Sequence, residues 1–132
     1  MSRPRQKRII KSPPLMMGYK PFGIPHKEFD KIELHFDGFE AIRLLDYEGM
    51  TQEEAAGHMN VSRPTLTRIY ESARKTIAQA LVEGKMIVIK GGNIEFEHQW
   101  FRCKYCYQLV KEGETHVHQK YSDENELLPI ES

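Results

Sequence analysis

Two cysteines and two histidines near the carboxyl end carry the most reactive chemistry in this chain of 132 residues. Cys103 and Cys106 form a C-x-x-C, Gly113 marks a turn, and His116 and His118 follow. Two thiolates in a knuckle plus two imidazoles can complete a tetrahedral zinc site, and a segment with little core of its own would draw much of its folding free energy from the ion. His98 is an alternative fourth ligand. His116 and His118 are two positions apart, so on a strand they share a face, and one ion accepts both only if the backbone bends. Three other readings stay open. The cysteines can be reduced residues packed among Trp100, Phe101, Tyr105 and Tyr107. They can be a redox pair, although the βαβ surroundings of thioredoxin-like pairs are missing. They can also share an iron–sulfur cluster between two subunits.

No nucleophile with a positioned base is visible, and the histidines lie in unrelated contexts, so the sequence argues against an enzyme. The length holds one domain plus an appendage. Mean hydropathy is -0.60, no apolar run is long enough to cross a bilayer, and the start lacks the apolar region of a secretory signal. Two closely spaced cysteines do not make a disulfide framework. A cytoplasmic protein is expected. The formal net charge is +0, yet Arg3, Arg5, Lys7, Arg8 and Lys11 precede any acid, while Asp123, Glu124, Glu126 and Glu131 crowd the end. Such polarity gives a basic face whatever the total.

The remaining chemistry is recognition, and it sits on Thr51 to Leu81. Thr51 with Glu54 is a capping box that opens a helix from Gln52 to about Met59. Ser62 is a second cap, and Pro64 falls in the opening turn, where its missing N–H breaks no helical bond. Between them Asn60 is the non-glycine residue that best tolerates the left-handed conformation of a tight turn. Ala55, Ala56, Met59, Val61, Leu66, Ile69, Tyr70, Ala73 and Ile77 form the apolar side. Arg63, Thr65, Thr67, Arg68, Ser72 and Lys75 then fall on the outer face or its margins. The result is a helix-turn-helix whose second helix, residues 63–83, suits a DNA major groove. Arginine can bind guanine through two hydrogen bonds and threonine can offer a hydroxyl or a methyl. Ser62 and Arg63 would anchor the helix start to phosphate, Thr65, Thr67, Arg68 and Ser72 are candidates for base contacts, and Arg74 and Lys75 should reach the backbone. An ordinary helical hairpin with a solvated basic face is the plainer alternative.

EEAAGHMNVSRPTLTRIYESARKTIAQAL resembles DNA-binding region 4 of sigma-70-type transcription factors. The longer stretch from the basic start through YKPFGIP and DGFEAIRLLDYEGM to the following GG is similar to a family of small prokaryotic proteins of unknown function predicted to bind DNA. It covers about the first two thirds of the chain. The resemblance implies a DNA-binding fold, with no target, ligand or catalytic residue attached.

The flanking segments set the rest of the architecture. Residues 1–20, rich in Pro, Lys and Arg, read as a basic extended arm whose Arg3, Arg5, Lys7 and Arg8 can lie along phosphates. Its apolar Ile9, Ile10, Leu15, Met16 and Met17 suggest that part of it packs. Residues 21–92 form the helix-turn-helix domain. Within it, Lys31 to Phe36 alternates as a strand, and Lys85 to Lys90 is the partner strand expected to pair with it. His35 reads as an exposed strand residue. Asp37 and Glu40 read as another capping box for a helix from about Gly38 to Tyr47 or Glu48, with Glu40 and Arg43 as surface charges. Residues 93–120 are the Cys/His segment. Residues 121–132 are an acidic tail, mobile or folded back over the basic face. The fold class expected is mainly α: a trihelical helix-turn-helix domain with a small β element and a short Cys/His appendage. The partners expected are double-stranded DNA, a second copy of the chain, and RNA polymerase if the module is a sigma-like adaptor. A metal or redox input through Cys103 and Cys106 is the rival regulatory reading.

Overall fold

The computed structural model describes residues 6–25, 30–116 and 127–131. The elements run β1 (Arg8–Ile10), β2 (Gly18–Tyr19), β3 (Lys31–Leu34), α1 (Phe36–Ile42), a π-helical turn that continues it (Arg43–Tyr47), α2 (Gln52–Met59), α3 (Arg63–Glu83), β4 (Met86–Ile89), β5 (Ile94–Phe96), β6 (Trp100–Cys103), β7 (Leu109–Lys111) and β8 (Leu127–Pro129). Of the described residues, 37% are helical and 23% lie in strands spread over three sheets, which makes an α/β fold. The mainly α class expected from the sequence is corrected by this count. Strands of two to four residues are too short to show an alternating pattern, whereas α3 shows its helical period over 21 residues.

The expected strand pair does form. β3 lies parallel to β4, with Ile32 opposite Ile87 and Leu34 opposite Ile89, and the three helices provide the crossover a parallel pair needs. β2 completes this sheet antiparallel to β4. Gly18 is required there, because a Cβ would come within 2.0 Å of the Ile87 carbonyl oxygen.

The basic amino-terminal segment, expected as an arm, is built into the fold from residue 6 onward. β1 runs parallel to β5, with Arg8 opposite Ile94 and Ile10 opposite Phe96. Ile10 is fully buried. Burying a side chain of that size is worth about 1.5–3 kcal/mol, enough to draw a strand out of a polar stretch. A third sheet, β7-β6-β8, carries the Cys/His segment, and the end of the acidic tail contributes β8, with Leu128 opposite Arg102. Residues 127–131 are thus ordered by pairing, and Asp123, Glu124 and Glu126 lie outside the described residues.

The core joins Leu34, Phe36, Leu44, Met59, Leu66, Ile87 and Ile89 from helices and sheet. α1 packs closely on α3: a Cβ on Gly38 would stand 3.0 Å from the Cβ of Ala73. The expected Asp37–Glu40 capping box is absent. α1 starts at Phe36, with His35 at the cap position and no side-chain cap bond. Asp37 and Glu40 are 6% and 2% exposed; Asp37 accepts from Arg8 at 3.1 Å and from the Gly38 N–H of the first turn at 2.9 Å, and Glu40 accepts from Arg43. Arg43 donates to Glu40 at 2.6 Å, so these two are a half-buried ion pair, not independent surface charges. That hydrogen bond raises the guanidinium pKa above its ordinary value against the opposing pull of desolvation. Among the described residues, no helix is long and apolar enough to cross a membrane.

Candidate nucleic-acid interface and metal-ligating cluster

Local capping chemistry sets α2 and α3 as the sequence predicts. The Thr51 hydroxyl accepts from the Glu54 N–H at 3.1 Å, and the Glu54 carboxylate accepts from the Thr51 N–H at 3.2 Å. The bond from the Thr51 N–H, and the Thr51 hydroxyl donating to the same carboxylate at 3.0 Å, hold the Glu54 carboxyl below its ordinary pKa. Asn60 ends α2 in the left-handed region at φ 57°, and the Val61 N–H returns to the Ala56 carbonyl at 3.0 Å. Ser62 then caps α3, its hydroxyl accepting from the Thr65 N–H at 3.3 Å. Ala55, Ala56, Met59 and Leu66 close the corner between the helices.

With Leu66, Ala73 and Ala80 buried, α3 turns Arg63, Arg68, Ser72, Arg74 and Lys75 to solvent. None of the four cations among them is in an ion pair with a described residue. They split into two edges, as about 100° of rotation per residue requires. Arg63, Thr67 and Arg74 lie toward α2 and the π-helical turn. There the single proton of the Thr67 hydroxyl is shared between the Gln52 side-chain oxygen at 2.5 Å and the Arg63 carbonyl at 3.1 Å, and Arg74 stacks over Tyr70 at 5.4 Å. Tyr70 in turn donates to Asp46 at 2.7 Å. The Thr67 hydroxyl is therefore committed within the protein, which leaves its methyl for any base contact.

Thr65, Arg68 and Ser72 lie on the opposite edge and face a cleft of about 510 Å³ whose far wall holds Arg8, His35, Asp37 and Glu33. His35 is exposed, as expected, and bonds Glu33 at 3.2 Å. A second cleft of about 480 Å³ continues past Ser62, Thr65 and Arg68 to Gln6 and Asn93. Asn93 was not among the residues singled out from the sequence. It precedes β5, and its side-chain amide donates to the Gln6 carbonyl at 3.2 Å, so the β1–β5 edge stands beside the start of α3. Only the three-dimensional pairing of β1 with β5 reveals it. Lys7 is exposed. Arg8 is not available to phosphate in the way expected, since it donates to Asp37 at 3.1 Å. Arg3 and Arg5 lie outside the described residues.

The second constellation is at the far end of the chain. Cys103, Cys106 and His116 bring two sulfurs and one ring nitrogen within 4.8 Å of one another, close enough to hold a metal ion. The knuckle is set by backbone: the Tyr107 N–H donates to the Cys103 carbonyl at 2.9 Å, and Tyr107 adopts a left-handed φ of 64° that turns the chain into β7. Cys103 is buried and Cys106 exposed, with the Cys106 sulfur 3.3 Å from His116 Nε2. Both cysteines are free of disulfide. His98, the alternative ligand, is instead paired with Glu112 at 3.3 Å, outside the cluster. His118 lies outside the described residues. A donor set of two thiolates and an imidazole, within reach of one ion, fits zinc better than the hard cations that take oxygen.

A family model described as "Protein of unknown function DUF134" matches residues 1–97. The chain belongs to the DUF134 family. Relatives named UPF0251 protein support this: one from Halothermothrix orenii is 42% identical over 106 residues, covering 80% of this chain and 78% of the relative. Another, from Caldanaerobacter subterraneus subsp. tengcongensis, is 50% identical over 93 residues, covering 70% and 79%. A third, from Thermoanaerobacter sp., is 48% identical over 93 residues, covering 70% and 82%. No solved structure matches. The DUF134 match spans β1 to β5, including α1 to α3, and stops before β6. The Cys103–Cys106–His116 cluster therefore lies outside the matched family region.

Proposed function

We propose that this DUF134 protein is a sequence-specific double-stranded DNA-binding regulator of transcription, acting in the cytoplasm, with α3 in the major groove. The observation that carries the reading is the face of α3. A helix held by a capped corner on its apolar side presents Arg63, Arg68, Arg74 and Lys75 with no ion-pair partner among the described residues. Glu71 is the acid on that face. The local resemblance to sigma-70 region 4 points the same way. Arg68 is the principal base-reading residue, with Ser72 and Thr65 beside it, while Ser62, Arg63 and Lys75 contact phosphate.

Selection of bound fragments from genomic DNA followed by mobility-shift titration tests this. Arg68→Ala is expected to lower affinity for the selected sequence by the ~1–3 kcal/mol of one bidentate base contact and to leave random DNA little changed. Replacing Arg3, Arg5 and Lys7 together is expected to weaken both and to flatten the salt dependence. Equal losses on all sequences from Arg68→Ala would remove the base-reading assignment. No shift on any DNA, with RNA polymerase retained on the immobilised protein, would replace the reading by a sigma-like adaptor.

The cluster supports a second element. We propose that Cys103, Cys106 and His116 hold zinc, with His118 as the fourth ligand, and that the bound metal stabilises the three-stranded β7-β6-β8 sheet. The ion supplies folding free energy there, since this sheet has few buried side chains besides Cys103 and Val110. A metal- or redox-responsive regulator is the functional form of this idea: loss of the ion or oxidation of the thiols would loosen the segment. Metal content of the purified protein, with and without Cys103→Ser, decides it.

A further inference from the structure

The carboxyl-terminal end of α3 and residues 19–22 form an apolar groove that the proposed DNA contacts do not use. It is lined by Phe39, Ile42, Ile77 and Leu81, has a volume of about 600 Å³, and carries Tyr19 and Phe22 on its lip. Phe22 is 97% exposed, Leu81 75%, Tyr19 60%, and Ile24, beside Gly84, 45%. Taking ~150–250 Å² for a fully exposed side chain of this size, these four alone leave roughly 400–700 Å² of surface in water. That overlaps both the largest patch on ordinary monomers, ~300–600 Å², and the ~600 Å² per partner at which specific interfaces begin. The charges at its rim are two lysines, Lys20 and Lys85, and the Lys85 ammonium is already paired with Glu83 at 3.7 Å.

We propose that this groove is a dimerisation surface and that its occupant is a second copy of the chain. A projecting Phe22 next to a concave groove is self-complementary. A two-fold axis lets each Phe22 enter the groove of the other copy, so one patch serves both sides and no further surface is left open. The position also suits the proposed function, on which this second part of the argument rests. Arg68 and Leu81 are thirteen residues apart on α3, about 20 Å along the axis at ~1.5 Å per residue. Two helices meeting near Leu81 place the two Arg68 side chains about 40 Å apart if collinear and about 34 Å, one turn of DNA, if they meet at about 120°. The operator is then an inverted repeat with half-site centres about 10–11 base pairs apart.

Sedimentation equilibrium of the full chain without DNA tests the interface. The wild type is expected to be a dimer at tens of micromolar. Leu81→Glu and Phe22→Asp, both on exposed side chains and each checked for unchanged circular dichroism, are expected to be monomers. A wild type that stays monomeric up to about 1 mM, or a dimer that survives both substitutions, overturns the proposal. Hydroxyl-radical footprinting on selected DNA tests the spacing: two protected patches about one turn apart are expected, and a single patch overturns the geometry. A dimer broken by Leu81→Glu in a protein that binds no DNA supports the interface while removing the regulatory reading.

Discussion

Arg8 of β1 donates to Asp37 of α1 at 3.1 Å, and three residues further on the Lys11 N–H donates to Glu40 at 2.9 Å, so strand and helix run in step. The basic segment supplies donors to two buried carboxylates before it supplies anything to a ligand. Arg8→Met should leave the 9% exposed Asp37 side chain with only its bond from the Gly38 N–H and destabilise the fold by about 2–4 kcal/mol, less than a fully buried pair costs because Arg8 is itself 21% exposed. Urea unfolding checks this. Pairing the change with Asp37→Asn should recover part of the loss, and additive losses would show that the pair is not coupled.

Asn60 holds a left-handed conformation at φ 57°. Asn60→Gly should stabilise the protein slightly or leave it unchanged, because glycine adopts that region without steric cost. Asn60→Val should cost about 1–2 kcal/mol, since a β-branched side chain crowds the backbone at positive φ and lacks the short amide that can bond locally there. Thermal melts of both variants decide the sign.

The Glu54 carboxyl is held below its ordinary value of 4.5 by its bonds to Thr51. A depressed folded-state value means that the stabilisation is fully present above the unfolded value and is lost as pH falls through the lower folded one. Amide exchange at the start of α2 should accordingly rise relative to the pH trend of α3 only below about pH 4.5. Glu54→Gln should abolish that acid-specific step. A step of the same size in the variant would assign it elsewhere.

For the metal cluster, adding cobalt to metal-free protein should produce the sulfur-to-metal charge-transfer band of a thiolate site, and Cys106→Ser should weaken it by removing one sulfur. Chelation should lower the melting temperature of the wild type and leave Cys103→Ser unaffected. A band unchanged in both cysteine variants would exclude the site.

What the sequence showed well was local. Thr51, Ser62 and Asn60 act within three or four residues of themselves, so their roles follow from order alone. The C-x-x-C was equally legible, and His116 does join it. What the sequence concealed lies at long separation. Glu40 looked like a cap residue because the rule for caps sees three positions, whereas the Lys11 N–H donates to it from 29 residues away and its surroundings are core. Arg8 looked free for the same reason. Strands β1 and β5 are three residues each, below the length at which a pattern can declare itself, and their pairing alone brings Asn93 beside α3.

The parallel seams have a consequence for how the chain is made. β1 must wait for β5, and both β2 and β3 must wait for β4, so no sheet in the amino-terminal two thirds can close until Ile89 and then Phe96 have left the ribosome. By then all three helices have been synthesised. A nascent chain stalled before Met86 therefore carries a docked helical corner with three unsatisfied strands hanging from it, a natural client for a holding chaperone.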